Sequence, residues 1–150
     1  MSEIENPYNN QESIQTRKDQ EDPWIMYLIV NDDLNMSAGK IAAQVGHAVG
    51  MMYGYYQYLD SNLEYAACGY GELLDFNGIK SFKSWKNDSF RKVVLKAKNS
   101  KWEKLKDQLK CFVVRDAGLT EIDPGSETVI GVWPMKRSER PNILRKLQTL

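Results

Sequence analysis

The feature that most constrains this chain is a short apolar run, Trp24-Ile25-Met26-Tyr27-Leu28-Ile29-Val30, stopped by Asn31-Asp32-Asp33. An uninterrupted run of that length, with no polar alternation, suits a strand covered on both faces. Other elements must then lie on each side of it, as in layered α/β domains. No longer apolar run occurs, and this one falls far short of the roughly 20 residues a membrane helix needs.

With 150 residues the chain has length for one domain, which at that size buries roughly 70% of the surface exposed by the unfolded chain. Residues 1–23, rich in Asn, Gln, Glu and Asp, read as a flexible tail, so the domain is expected over 24–150. The first residues lack the basic start and apolar segment of a signal peptide; a soluble, cytoplasmic protein with no membrane partner is the expectation. Cys68 and Cys111 offer neither a disulfide framework nor a metal spacing. The net charge of zero conceals a division. Residues 1–75 carry 3 Lys or Arg against 12 Asp or Glu, whereas residues 76–150 carry 17 against 8. Within 80–110 the balance is 11 basic to 3 acidic, either a face for a polyanion or a solvated lysine-rich helix.

After the first strand, Ser37 is the natural N-cap of a helix from Ala38 to about Leu59, with Ile41, Val45, Ala48 and Met52 on its apolar face. An irregular insertion is expected at about 60–90, ending in a basic-aromatic segment, Lys80 to Phe90. Lys92 to Lys98 reads as a strand. Asn99 or Ser100 then caps a helix to Lys110 with Trp102, Leu105 and Leu109 on one side, and Cys111 to Val114 is a third strand. Asp123-Pro124-Gly125-Ser126 has Pro and Gly where a type II turn needs them. Thr128 to Trp133 is the last strand, and Glu139 to Leu150 a closing helix with Pro141 in its first turn. The alternation predicts helices on both faces of a short, partly parallel sheet, with the site off the carboxyl ends of its strands.

That rule selects the loop leading into Gly39-Lys40 and the loop opening at Asp116. Lys40 stands in the first turn of its helix, where the dipole disfavours a cation and where a glutamate would complete a capping box with Ser37. It is either functional or simply extended into solvent. Gln44 and His47 follow at four and seven residues, on the same helical face. A lone histidine is more often structural than catalytic. Asp116, before Ala117-Gly118, either orients a water or caps a turn. Thr120 and Thr128 flank the turn at Asp123–Ser126, and Thr128 is also an ordinary β-branched strand residue. Gly39-Lys40 lacks the glycine and the Ser or Thr of a Walker loop, and neither a dinucleotide fingerprint, a zinc set nor a serine elbow is present. Gly46, Gly50 and Gly54, every fourth residue, suggest close packing against another element or a second subunit.

Two blocks carry a family resemblance. The first is Asp33-Leu34-Asn35-Met36 followed by Gly39-Lys40-Ile41-Ala42-Ala43-Gln44 and His47-Ala48. The second is Asp116-Ala117-Gly118, Thr120, Pro124-Gly125, Thr128-Val129-Ile130-Gly131 and Pro134. In this order they resemble the type II peptidyl-tRNA hydrolases over about residues 25–150, with Trp85 also falling where that family usually has tryptophan. The resemblance implies a three-layer α/β domain on a four-stranded mixed sheet, commonly a homodimer, without a cofactor or metal. It implies hydrolysis of the ester joining a peptide to the 3′ end of tRNA. Lys40, Asp116 and Thr128 match positions proposed as catalytic, while Gly39, Gln44, His47, Gly118 and Thr120 match the surrounding signature and are assigned to substrate binding. On this reading Asp116, with Thr128, orients a water, and Lys40 stabilises the developing oxyanion.

Lys83, Lys86, Arg91 and Lys92, interleaved with Phe82, Trp85 and Phe90, become candidate RNA contacts, the aromatics either stacking on terminal bases or packing in the core. The chain departs from the family at Leu119, Ile25 and Asn31, where basic residues are usual, and at Trp133, where glycine is usual and a narrower pocket is expected. A divergent member that binds RNA or a protein without turnover is the competing expectation.

Overall fold

A computed structural model of the chain describes residues 21–62, 76–118 and 121–150. Six strands, β1 (Trp24–Asn31), β2 (Arg91–Ala97), β3 (Cys111–Arg115), β4 (Glu127–Val132), β5 (Met135–Lys136) and β6 (Gln148–Thr149), form one sheet. The order is β3-β4-β1-β2-β6, with β5 against β1. β1 is buried from Ile25 onward, as its uninterrupted apolar composition requires. It runs parallel to β2, with Ile25 opposite Arg91 and Asn31 opposite Ala97, and antiparallel to β4.

Four principal strands therefore form a mixed sheet, but among the described residues the sheet has six strands, not four. The two additional strands are two-residue pieces that take up open backbone groups beside β1 and β2. The last of them also corrects the closing helix. After Pro141 only Asn142–Arg145 is helical, and the chain then lays Gln148 and Thr149 against Lys96 and Leu95, with the Leu150 N–H donating to the Val94 carbonyl. The edge of β2 offers ladder hydrogen bonds that a continued helix at the chain end would leave unmade.

Helices α1 (Ala38–Ser61) and α2 (Phe76–Ser84) cover one face of the sheet; α3 (Asn99–Gln108) and α4 (Asn142–Arg145) cover the other. The buried line of α1 is Gln44, Ala48, Met52, Tyr56 and Leu59, so the expected apolar stripe is rotated to bring a glutamine inward. Gly131 in β4 permits this close seating, because a Cβ there would stand 2.7 Å from the Met52 methyl and 3.2 Å from the Ala48 Cβ. On the opposite face Trp102, Leu105 and Leu109 are buried together, as their spacing predicts.

Part of the stretch expected to be irregular is helical. Beyond the undescribed residues 63–75, α2 leads into a π-helical turn, Trp85–Ser89. Phe82 and Trp85 are fully buried, the Trp85 indole donating to the Arg91 carbonyl at 2.7 Å. Trp133 packs against Phe82 and donates its indole N–H to Gly78 at 2.8 Å. It thus secures the inserted helix instead of narrowing the site, because it lies at the far end of β4 from Thr128. Asn31 and Ile25, two of the family departures, are buried, Asn31 bridging Asn99 and the Glu127 carbonyl. Residues 1–20 of the expected tail lie outside the described residues, while its end is docked: Asp22 accepts from the backbone and hydroxyl of Ser138. Among the described residues no helix is long and apolar enough to cross a membrane.

Candidate active site

The carboxyl end of β1 turns through Asp32–Leu34 into Ser37, whose hydroxyl accepts from the Lys40 N–H at 3.3 Å and caps α1 as its sequence predicts. The capping box lacking its glutamate at position 40 is completed from elsewhere. Glu121, on the loop between β3 and β4, accepts from the Ser37 N–H at 2.9 Å and from its hydroxyl at 2.6 Å. These bonds hold the Glu121 carboxyl below its ordinary value. A distant acid thus does locally what a helical glutamate would do, and position 40 is free to carry a cation.

That cation meets Asp116. Lys40 Nζ donates to Asp116 Oδ1 at 2.6 Å, and Gln44 Nε2 donates to the same oxygen at 3.2 Å. Asp116 Oδ2 accepts from the Gly118 N–H at 2.7 Å. Gly118 delivers that N–H from φ +76°, in contact with Pro124, where a Cβ would have no space. Behind Gln44, the Thr128 hydroxyl donates to Gln44 Oε1 at 2.6 Å. This bond fixes which end of the amide faces Asp116. Lys40 and Asp116 are nearly covered, with side chains 10% and 5% exposed. The Lys40 ammonium is the main reason the Asp116 carboxyl lies below its ordinary value. Desolvation opposes it, while the Gly118 N–H and the charges of Lys40 and His47 assist.

Lys40, Gln44 and Asp116 stand at the end of an open groove of about 1130 Å³ between α1 and β3, lined also by Gly39, Ala43, Gly46, His47, Gly50, Met51 and Glu121. His47 is exposed on its wall. Thr128 is fully buried and is not among the groove-lining residues; its hydroxyl lies 2.6 Å from Gln44 Oε1 and 3.3 Å from the Val114 carbonyl. Thr120 lies outside the described residues. Gly46, Gly50 and Gly54 do not pack closely on another element among the described residues: a Cβ at each would meet nothing within 4 Å.

The basic quartet is not brought to this groove. Arg91 is paired with the start of β1, the far end of the sheet. Lys86 lies 5.6 Å over the Tyr56 ring, roughly 24 Å along α1 from Lys40 at about 1.5 Å per residue. Lys92 folds over Phe90, 3.4 Å from the ring centroid, and donates to the Phe90 carbonyl; burial of the ammonium lowers its pKa. Lys83 is exposed. Phe82 and Trp85 are core residues, which removes them as stacking platforms for bases. Among the described residues no three His, Cys, Asp or Glu side chains gather as a metal set.

A family model described as Peptidyl-tRNA hydrolase PTH2 matches residues 24–150, which include Lys40, Gln44 and Asp116. The chain belongs to this family. A Peptidyl-tRNA hydrolase of Methanococcus vannielii is 32% identical over 130 residues, covering 82% of this chain and 96% of the relative. One from Sulfolobus acidocaldarius is 33% identical over 131 residues, covering 83% and 98%. A Probable peptidyl-tRNA hydrolase 2 of Drosophila melanogaster is 31% identical over 135 residues, covering 86% of this chain and 63% of the relative. Within this PTH2 domain the residue missed by sequence reasoning is Glu121. Its only trace in the sequence is the acid absent from position 40.

Proposed function

We propose that this chain hydrolyses the ester between a peptide, or an N-blocked aminoacyl group, and the 3′ end of tRNA, and so recycles peptidyl-tRNA during translation. The observation that carries the reading is the nearly covered Lys40–Asp116 pair at the end of an open groove, in a chain of the PTH2 family. Asp116 stays ionised and accepts a hydrogen bond from the attacking water, positioning it more than deprotonating it, since a carboxyl held below its ordinary value is a weak base. Lys40 faces the charge that develops on the carbonyl oxygen. The water oxygen bonds to the acyl carbon, the bond from that carbon to the ribose oxygen breaks, and the proton given up by the water ends on the leaving ribose oxygen. Thr128 positions Gln44, which positions Asp116.

On this reading the working partner is tRNA, the protein works in the cytoplasm, and the reaction uses no cofactor. Lys83, Lys86, Arg91 and Lys92, well removed along α1 from the ester, would meet phosphates of the RNA backbone and not its terminal bases. A homodimer belongs to the same reading and is checked by mass in solution. The deciding experiment is release of an N-acetyl-aminoacyl group from tRNA by wild type, Lys40→Ala and Asp116→Ala. Release by wild type, lost in both folded variants, supports the reading. No release by folded wild type that still binds tRNA leaves a binding protein on this fold.

A further inference from the structure

Among the described residues β3 is an edge strand of the sheet with a neighbour on one side alone, and its hydrogen-bond phase can be read directly. The Trp133 N–H bonds to the Lys110 carbonyl at 2.9 Å, so that facing pair is hydrogen-bonded. Alternation along an antiparallel ladder then bonds Phe112 to Gly131 and Val114 to Val129. The N–H and C=O of Val113 point the other way, off the edge, with no strand beyond them among the described residues. Val113 packs toward the α3 face and Val114 toward the α1 face, yet both line the groove, which therefore runs along the strand's edge. The opposite wall, on α1, carries His47 and Met51 but is bare at Gly46 and Gly50, where a Cβ would meet nothing within 4 Å.

We propose that this groove holds the peptide part of the substrate as an extended strand laid parallel to β3. Its ester carbonyl lies at Lys40 and Asp116, and the preceding residues run back past Val113, whose outward N–H and C=O are their main-chain partners. Recognition through the backbone suits a substrate whose peptide sequence varies, since edge pairing is indifferent to side chains and the glycine wall leaves them room. Val113 precedes Asp116 by three residues, roughly 10 Å at about 3.3 Å per residue, so the pairing involves peptide residues some two or three back from the ester. A single aminoacyl group does not reach it.

This assignment rests on the proposed ester hydrolysis, and its test separates the two. We would compare kcat/KM for N-acetyl-alanyl-tRNA, N-acetyl-tetraalanyl-tRNA, and the tetraalanyl substrate N-methylated at the inner peptide amides, using wild type and Gly50→Leu. Leucine removes a helical glycine and projects into the groove, so folding is expected to survive and is checked by circular dichroism. About a tenfold preference for the tetrapeptide, as two net main-chain hydrogen bonds provide, is expected in wild type. N-methylation and Gly50→Leu should each bring the ratio near one. Equal rates for the short and long substrates overturn the edge pairing while leaving the hydrolase reading intact. A length preference that survives N-methylation also overturns it. A wild-type dimer dissociated by Gly50→Leu puts a second copy in the groove and does the same. No turnover of any substrate retires both proposals.

Discussion

The two ends of α1 are built from opposite materials. At its start, beside the carboxyl end of β1, lie nearly covered polar groups joined through oriented hydrogen bonds: Thr128 to Gln44, Gln44 and Lys40 to Asp116, and Gly118 to Asp116. Toward its end, beside the amino end of β1, rings pack on rings: Phe82 stacks on Tyr56 with centroids 4.5 Å apart, and Trp85, Tyr53 and Trp133 surround it. Buried polar groups are costly unless each finds a partner, whereas apolar area contributes without such exactness. The contrast teaches that the aromatic end holds the fold and its inserted helix, while the polar end holds a geometry.

Substitutions should therefore separate the ends. Phe82→Ala should cost about 3–5 kcal/mol of stability in a denaturant titration. Its rate of ester hydrolysis, measured well below the melting point, should be close to that of wild type; a large rate loss in a folded variant would dissolve the contrast. Asp116→Asn should do the reverse, lowering kcat/KM by about 10²–10³-fold in a single-turnover release assay while the protein remains folded. Thr128→Val leaves the Gln44 carbonyl without its donor, so about 1–3 kcal/mol of stability and roughly tenfold in kcat should be lost, with KM little changed. Thr128→Ser should restore kcat if the hydroxyl acts by orienting Gln44; equal loss in both would assign the effect to packing alone.

The pH profile sharpens the comparison further. The Asp116 carboxyl is depressed in the folded protein, so its ionised form and the stability it contributes are present above the unfolded-state pKa. The stability is lost progressively as pH falls from the unfolded-state value to the lower, folded one, and the ionised form in the folded protein is lost as pH falls through the latter. The wild-type rate should stay level from neutrality into the ordinary carboxylate range, and in Lys40→Met, which lacks the largest cause of the depression, the Asp116 carboxyl should titrate at a higher pH by carboxyl NMR. An unmoved titration would assign the depression to other groups. The smallest effect belongs to the surface: Lys83→Ala should reduce the salt slope of log kcat/KM by about one if that ammonium meets a phosphate, and otherwise leave it unchanged.

How much of this was legible follows the distance over which each feature is determined. β1, the Ser37 cap, and the Lys40–Gln44 pair depend on neighbours within a turn or two, and they stand where periodicity places them. Asp116 was legible as a strand-end carboxylate beside glycine. The inward rotation of Gln44 was not, because only the seating of α1 on Gly131 decides which face turns down. Nor was β6: Glu139 to Leu150 reads as a closing helix with Pro141 in its first turn, and the open edge of β2 that captures Gln148 and Thr149 is set some fifty residues earlier. Glu121 acts across 84 residues, beyond the reach of local pattern.

The Glu121–Ser37 clasp has a consequence for how the site comes apart. The loop that bears Asp116 also grips the first turn of the helix that bears Lys40, so neither wall can lift without loosening the other. Local opening at this corner is then a single cooperative event, and the protein passes between an assembled site and no site, with few half-built states in which a lone carboxylate or a lone ammonium faces the substrate.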